Sequence, residues 1–206
     1  RHLHACSHAP SFATIVAVVA SASAISVAED GHNSITLTAA HSGKRLDSFQ
    51  HNQAWKRSPG LTASVAFGGK SRYLCVGDDS GAVCMWDLKK KIRVRQFFHE
   101  NHPSRQVQLD PSDKFIISLS EKLISIFNLR EGSLASTITP SGSYAFTCFD
   151  VSAGNPSILA VGTSDGNIVL HDITREGAPI VTYLRRCHST HVTQLAISPQ
   201  NNQLLA

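Results

Sequence analysis

Long unbroken apolar runs are missing from this 206-residue chain. Without a stretch of about 18 or more apolar residues, no membrane-spanning helix is expected. Charge of one sign is also scarce: 19 Lys and Arg stand against 15 Asp and Glu, a formal +4. That excess is too small to point to nucleic acid by itself. Cysteine is sparse and odd in number. Cys6, Cys75, Cys84, Cys148 and Cys187 show no Cys-x-x-Cys spacing, so free thiols in a reducing compartment are expected rather than a disulfide framework. Catalytic fingerprints are lacking too, with no nucleophile elbow, dinucleotide fingerprint or paired carboxylates. Gly68-Gly69-Lys70-Ser71 matches only the tail of a phosphate-binding loop, and because no helix pattern follows it reads as a turn. Helical periodicity is itself poor, since no 3.6-residue stripe extends beyond about two turns.

What the chain does have is a phrase that returns. Val83-Cys84-Met85-Trp86-Asp87 is followed by Ile124-Ser125-Ile126-Phe127-Asn128 and Ile168-Val169-Leu170-His171-Asp172. The steps are 41 residues from Trp86 to Phe127 and 44 from Phe127 to His171, and a weaker copy, Ile35-Thr36-Leu37-Thr38-Ala39, stands 48 residues ahead of Trp86-Asp87. Periods of this size, built from short alternating segments, predict an all-β chain folded as a WD40-type β-propeller, one four-stranded blade per repeat. Trp86, Asp87, Phe127, Asn128, His171 and Asp172 are then structural repeat positions.

The blades read as about 12–50, 61–98, 104–138 and 144–184, with the start of another at 191–206. Residues 1–11 are expected to be a disordered end. Turn chemistry supports the register. Ser164-Asp165-Gly166-Asn167 supplies the positive φ of a tight antiparallel connection, and Asp110-Pro111-Ser112-Asp113 and Ser198-Pro199-Gln200-Asn201 place Pro where φ must be preset. The run Phe12 to Ala20 before Ala22-Ser23-Ala24 imitates a secretory leader, but it fits the inner strands of a first blade better. About four blades are fewer than such propellers usually close with, so the chain reads as an incomplete propeller, a fragment of a longer protein.

Histidine and basic clusters are the remaining candidates. His99-Glu100-Asn101-His102 lacks the second intervening residue and the helix that a zincin pair needs. His102 and its counterpart His191 read instead as structural repeat positions that brace the blade. Lys89, Lys90, Lys91, Arg93 and Arg95 cluster where the third strand of a blade turns into the fourth. Strict alternation would put Arg93 and Arg95 on one face. Charge there protects an outer edge and offers a patch to an acidic protein partner. No cofactor, metal or small-molecule substrate is implied.

Ser71-Arg72-Tyr73-Leu74-Cys75, the turn Gly77 to Gly81, Met85-Trp86-Asp87-Leu88 and the basic run to Arg95 resemble one blade of a known family. So do Leu119-Ser120 with Ile124 to Leu129, and His188 with Leu195-Ala196-Ile197-Ser198-Pro199. The family is that of the neural-precursor-cell-expressed, developmentally down-regulated WD-repeat adaptor of the γ-tubulin ring complex. The resemblance covers most of Leu61 to Ala206. It implies a non-enzymatic cytoplasmic scaffold that targets γ-tubulin complexes to centrosome or spindle for microtubule nucleation, with protein partners and no catalytic residues. That family's helical γ-tubulin-contacting region has no counterpart here. Two other readings stay open. Phe127-Asn128-Leu129-Arg130 occupies the place of the Trp-Asp-x-Arg of cullin-ligase substrate receptors without its Trp or Asp, and the basic run would also suit a subunit of a ribosome-assembly particle.

Overall fold

The computed structural model describes residues 15–18, 24–28, 34–38 and 45–50 by backbone pairing alone. It then describes 62–198 apart from 69–71, 99–101, 121 and 153–157, and the strand at 204–205. The expected disordered end at 1–11, Cys6, and the pair His99-Glu100 lie outside the described residues. Within them every regular element is a strand, and no helix is long and apolar enough to cross a membrane.

Strands β1 (Ile15–Val18), β2 (Ala24–Ala28), β3 (Ser34–Thr38) and β4 (Arg45–Gln50) form the first antiparallel sheet. The second holds β5 (Thr62–Gly68), β6 (Tyr73–Asp78), β7 (Ala82–Asp87) and β8 (Ile92–Phe98). The third holds β9 (Gln106–Leu109), β10 (Phe115–Leu119), β11 (Ile124–Asn128) and β12 (Ser133–Ile138), and the fourth β13 (Phe146–Val151), β14 (Ile158–Thr163), β15 (Ile168–Asp172) and β16 (Ile180–Leu184). A two-stranded ladder of β17 (Ala196–Ile197) and β18 (Leu204–Leu205) follows. Each four-stranded sheet is a simple meander, and the first strands β1, β5, β9, β13 and β17 lie successively side by side. The sheets therefore stack as blades about their inner strands, and the all-β expectation holds.

Alternation explains the stack. One face of blade three presents Ile116 and Phe127 toward Val83, Met85 and Phe97 of blade two. The other presents Ile117, Leu119, Ile124 and Ile126 toward Phe149, Val151, Leu159 and Val161 of blade four. Both faces are apolar because both are covered. Each such side chain is worth about 1.5–3 kcal/mol when fully removed from water.

Two expectations are corrected by register. The opening strand of the repeat expected to start at 191 is only Ala196–Ile197, because Val192 instead gives its N–H to the Thr163 carbonyl at 3.1 Å. The second correction concerns alternation between the third and fourth strands. The ladder slips by one residue between Leu37 and Thr38, Met85 and Trp86, Ile126 and Phe127, and Leu170 and His171. These are the same repeat position in four blades, so the bulge belongs to the blade design. In blade two Met85 faces Arg95 while Trp86 faces Arg93, with Val94 the extra residue. Arg93 and Arg95 consequently point to opposite faces of the sheet, not to one.

Candidate docking surfaces

The repeat positions are occupied with holding the blades together. At the end of the third strand, Asp87 Oδ1 accepts the N–H groups of Lys89 and Lys90, both at 3.0 Å. Asn128 Oδ1 accepts those of Arg130 and Glu131 at 2.9 and 3.2 Å. Asp172 Oδ1 accepts the Thr174 N–H at 3.0 Å and its hydroxyl at 2.7 Å. A short acceptor at this point closes the turn, which explains why Asp or Asn recurs there. The Lys90 N–H, aided by the Arg72 guanidinium 3.1 Å from Oδ2, holds the Asp87 carboxyl below its usual range. The bond from the Thr174 hydroxyl does the same for Asp172.

The aromatic positions face the preceding blade. Phe127 stacks on Phe97 with ring centroids 4.6 Å apart. His171 is buried, and its Nδ1 lies 2.8 Å from the Ala178 carbonyl, so Nδ1 carries the proton and donates it. Burial, opposed by that bond, pushes the imidazole below its ordinary value.

The bracing expected of His102 and His191 falls to other groups. His102 is half-buried and His191 exposed. The buried brace stands two residues beyond His102, at Ser104. Its N–H donates to the Asp78 carbonyl at 2.8 Å, its carbonyl accepts from Ser64 Oγ at 3.4 Å, and its hydroxyl pairs with Ser118 Oγ at 2.7 Å. Blade three is tied to blade four differently. The Gln106 side-chain amide donates to the Phe149 carbonyl at 2.7 Å and accepts its N–H at 3.1 Å. Gln108 donates to Asp150 Oδ1 at 3.0 Å, and Asp150 Oδ2 accepts the Ile197 N–H at 2.7 Å. Nothing in the repeat pattern marked these inner-strand side chains, because each partner lies some forty residues away.

Four described cysteines are free: Cys75, Cys84 and Cys148 are buried and Cys187 is exposed. Burial pushes the Cys84 thiol up to about 12, with Arg93 opposing. Arg93 thus lies against the interior of the blade. Arg95 reaches the other way and donates to the Leu129 carbonyl of blade three at 3.1 Å. Lys89, Lys90 and Lys91 are exposed on the turn. Lys91 adopts φ +58, where the matching turn of blade three has Gly132 at +72. The basic run is therefore a lysine turn with two arginines diverging from it. Among the described residues, no group of three or more His, Cys, Asp and Glu side chains could hold a metal ion.

A second cationic site, absent from the sequence reading, opens at the other end of the blades. The side chains of Ser141, Asp165, Asn167, Tyr183, Arg185 and Arg186 line a cleft of about 430 Å³. Asn167 organises it. Its Oδ1 accepts the Arg186 N–H at 2.7 Å, and its Nδ2 donates to Asp165 Oδ2 at 2.6 Å and to the Tyr183 hydroxyl at 3.3 Å. Asp165 Oδ1 accepts the Thr163 hydroxyl at 2.5 Å. Its turn turns tightly because Gly166 takes φ +81 with His188 and Thr190 carbonyls where a Cβ would be. Arg185 lies over the Tyr183 ring, 5.5 Å from its centroid. The sequence did signal the Asp-Gly turn, but not that two arginines would close over it.

Stacked four-stranded meanders with adjacent inner strands define a β-propeller of the WD type. The crystal structure of the Myceliophteria thermophila Cps50 (Swd1) beta-propeller domain is similar, with a TM-score of 0.73 and 16% sequence identity over 89% of this chain and 58% of that one. In sequence the chain is similar to WD-repeat proteins. WD repeat-containing protein 55 of Homo sapiens is 23% identical over 81% of this chain and 44% of the relative. Target of rapamycin complex subunit LST8 of Saccharomyces cerevisiae is 24% identical over 68% and 46%, and Gem-associated protein 5 of Homo sapiens 27% over 64% and 9%. The chain thus spans less than half the length of each of these relatives. No family model matches it. None of these relatives is a γ-tubulin adaptor, so they carry the WD-repeat assignment and not the narrower one.

Proposed function

We propose that the chain is part of a non-enzymatic scaffold that holds protein partners on the turns at the two ends of its blades. The observation that carries this reading is the employment of its polar repeat residues. Asp87, Asn128, Asp172 and His171 are each committed to main-chain groups of their own blade. Asp110 likewise accepts the N–H groups of Lys114 and Phe115 at 2.7 and 2.6 Å. Groups so committed stabilise turns and leave exposed cations on the loops for recognition. Partners of the WD-repeat relatives belong to those proteins; LST8, for instance, is by its name a subunit of a target of rapamycin complex.

The test is purification of the tagged protein from cross-linked cells under increasing salt. A stoichiometric protein partner is expected to remain bound. Recovery of the chain alone, or a turnover reaction abolished by a single side-chain change, would overturn the proposal. The narrower reading, targeting of γ-tubulin complexes to centrosome or spindle, rests on the resemblance across Leu61 to Ala206. It predicts co-sedimentation of the whole protein with microtubules, and absence from the pellet would remove it.

A further inference from the structure

The cleft at Arg185 and Arg186 presents two exposed guanidinium groups. Asp165, the carboxylate in its wall, is satisfied by Thr163 and Asn167 from its own turn. Among the described residues no carboxylate pairs with either guanidinium, and both arginines are exposed. Arg186 is held at φ +52, a backbone region non-glycine residues seldom adopt, by the bond from its N–H to Asn167. Strain of this kind persists where surrounding structure over-determines it, commonly at binding sites. Ser141 adds a hydroxyl to the cleft lining, 3.1 Å from that of Tyr144.

Beside the cleft runs β16, the outer strand of blade four. Its sequence, Ile-Val-Thr-Tyr-Leu, has no charge, and Ile180, Val181 and Leu184 are 50%, 55% and 36% exposed. The equivalent outer strand of blade two carries Arg93 and Arg95. An uncharged edge with free ladder positions takes an added extended strand readily, while charge on an edge discourages it. The strand ends at Leu184, immediately before the two arginines.

We propose that the β16 edge and the adjoining cleft form a docking site for an extended acidic peptide, whose apolar residues lie along β16 and whose carboxylate is held by Arg185 and Arg186. Two guanidinium charges against the one of Asp165 leave a single positive excess, which matches a carboxylate better than a phosphate dianion. Nucleic acid is disfavoured by the same wall charge and by Arg185 covering the Tyr183 ring on which a base would stack. The proposal rests on the scaffold reading above and names a partner chemistry for one surface of it.

Fluorescence anisotropy on the full chain tests it. The probes are a labelled peptide of alternating valine and threonine ending in glutamates, its glutamine-ended form, its phosphoserine-ended form, and a single-stranded oligonucleotide. The glutamate peptide should bind, and the glutamine peptide should bind at least tenfold more weakly. Arg185→Gln and Arg186→Gln should each weaken binding by roughly tenfold, and Val181→Lys should weaken it without touching the cleft. Melting curves confirm that the variants fold. Equal binding by wild type and the double arginine variant would overturn the assignment while leaving the scaffold reading intact, since that reading is judged by the purified partner. Failure of the glutamate peptide to bind, tenfold tighter binding of the phosphopeptide, or preference for the oligonucleotide would each overturn it as well.

Discussion

The seam between blades two and three and the seam between blades three and four bury similar apolar layers but are locked by different means. In the first, close approach accompanies the Ser104 bonds to Asp78 and Ser64. Phe97 lies flat on Phe127, and Gly77 lets the Ser104 hydroxyl come so near that an added Cβ would sit 2.2 Å from it. In the second, polar side chains cross the inner edge, Gln106 to the Phe149 backbone and Gln108 to Asp150. The apolar face of each blade is a repeat property, whereas the lock is local to each junction. A repeat architecture can therefore vary its junctions one by one without changing its period.

Substitutions that strike one seam at a time sharpen this contrast. Phe127→Ala should cost the most, about 3–5 kcal/mol in chemical denaturation, because a fully buried ring leaves a cavity; a loss below 1 kcal/mol would mean the blade two–three stack is unimportant. Gly77→Val should cost about 1–3 kcal/mol through overpacking against Ser64 and Ser104, and an additional Ser104→Gly change should recover part of it. In the other seam Gln106→Leu should cost about 1–3 kcal/mol by stranding the buried Phe149 amide and carbonyl, with equilibrium melts as the readout.

Acid acts instead on bonds made within single blades. His171 has a folded pKa below its unfolded value. Its neutral form contributes stability in full above the ordinary imidazole value of about 6.5. That contribution is lost as pH falls from there through the depressed folded value, since the unfolded chain then binds more protons. Melting temperature should decline over that window in the wild type and decline less in His171→Phe. Asp87 and Asp172, also lowered, follow the same sign at lower pH, below the ordinary carboxylate value of about 3.9. The smallest effect is expected at the lysine turn. Lys91→Gly relieves a left-handed residue and should stabilise by at most about 1 kcal/mol, bringing the turn of blade two level with that of blade three, where Gly132 already stands.

Strand content was readable because period-two alternation and turn residues act over a few positions. Asp-Gly at 165–166 marks its turn for the same reason, as does Asp87 ahead of the lysines. The bulge was unreadable, since an extra residue in a fourth strand leaves no local mark, and with it went the facing of Arg93 and Arg95. Ser104 carries no mark in the sequence because a small hydroxyl becomes a brace only when blade two brings Asp78 and Ser64 to it, beside Ser118 of its own blade. Arg185 and Arg186 carried no motif because they meet the Asp165 turn only once β15 and β16 pair and bring Asn167 to Arg186.

By itself the sequence determined an all-β chain of repeated four-stranded sheets, because side-chain alternation and turn preference are properties of neighbouring residues. Only the tertiary structure decided which side chains lock each seam, which arginines part company across a bulge, and which two close over the turn at Asp165. The seam locks join residues about forty positions apart and are set by how one blade packs on the next, whereas the arginines are placed by how the strands of a single blade pair.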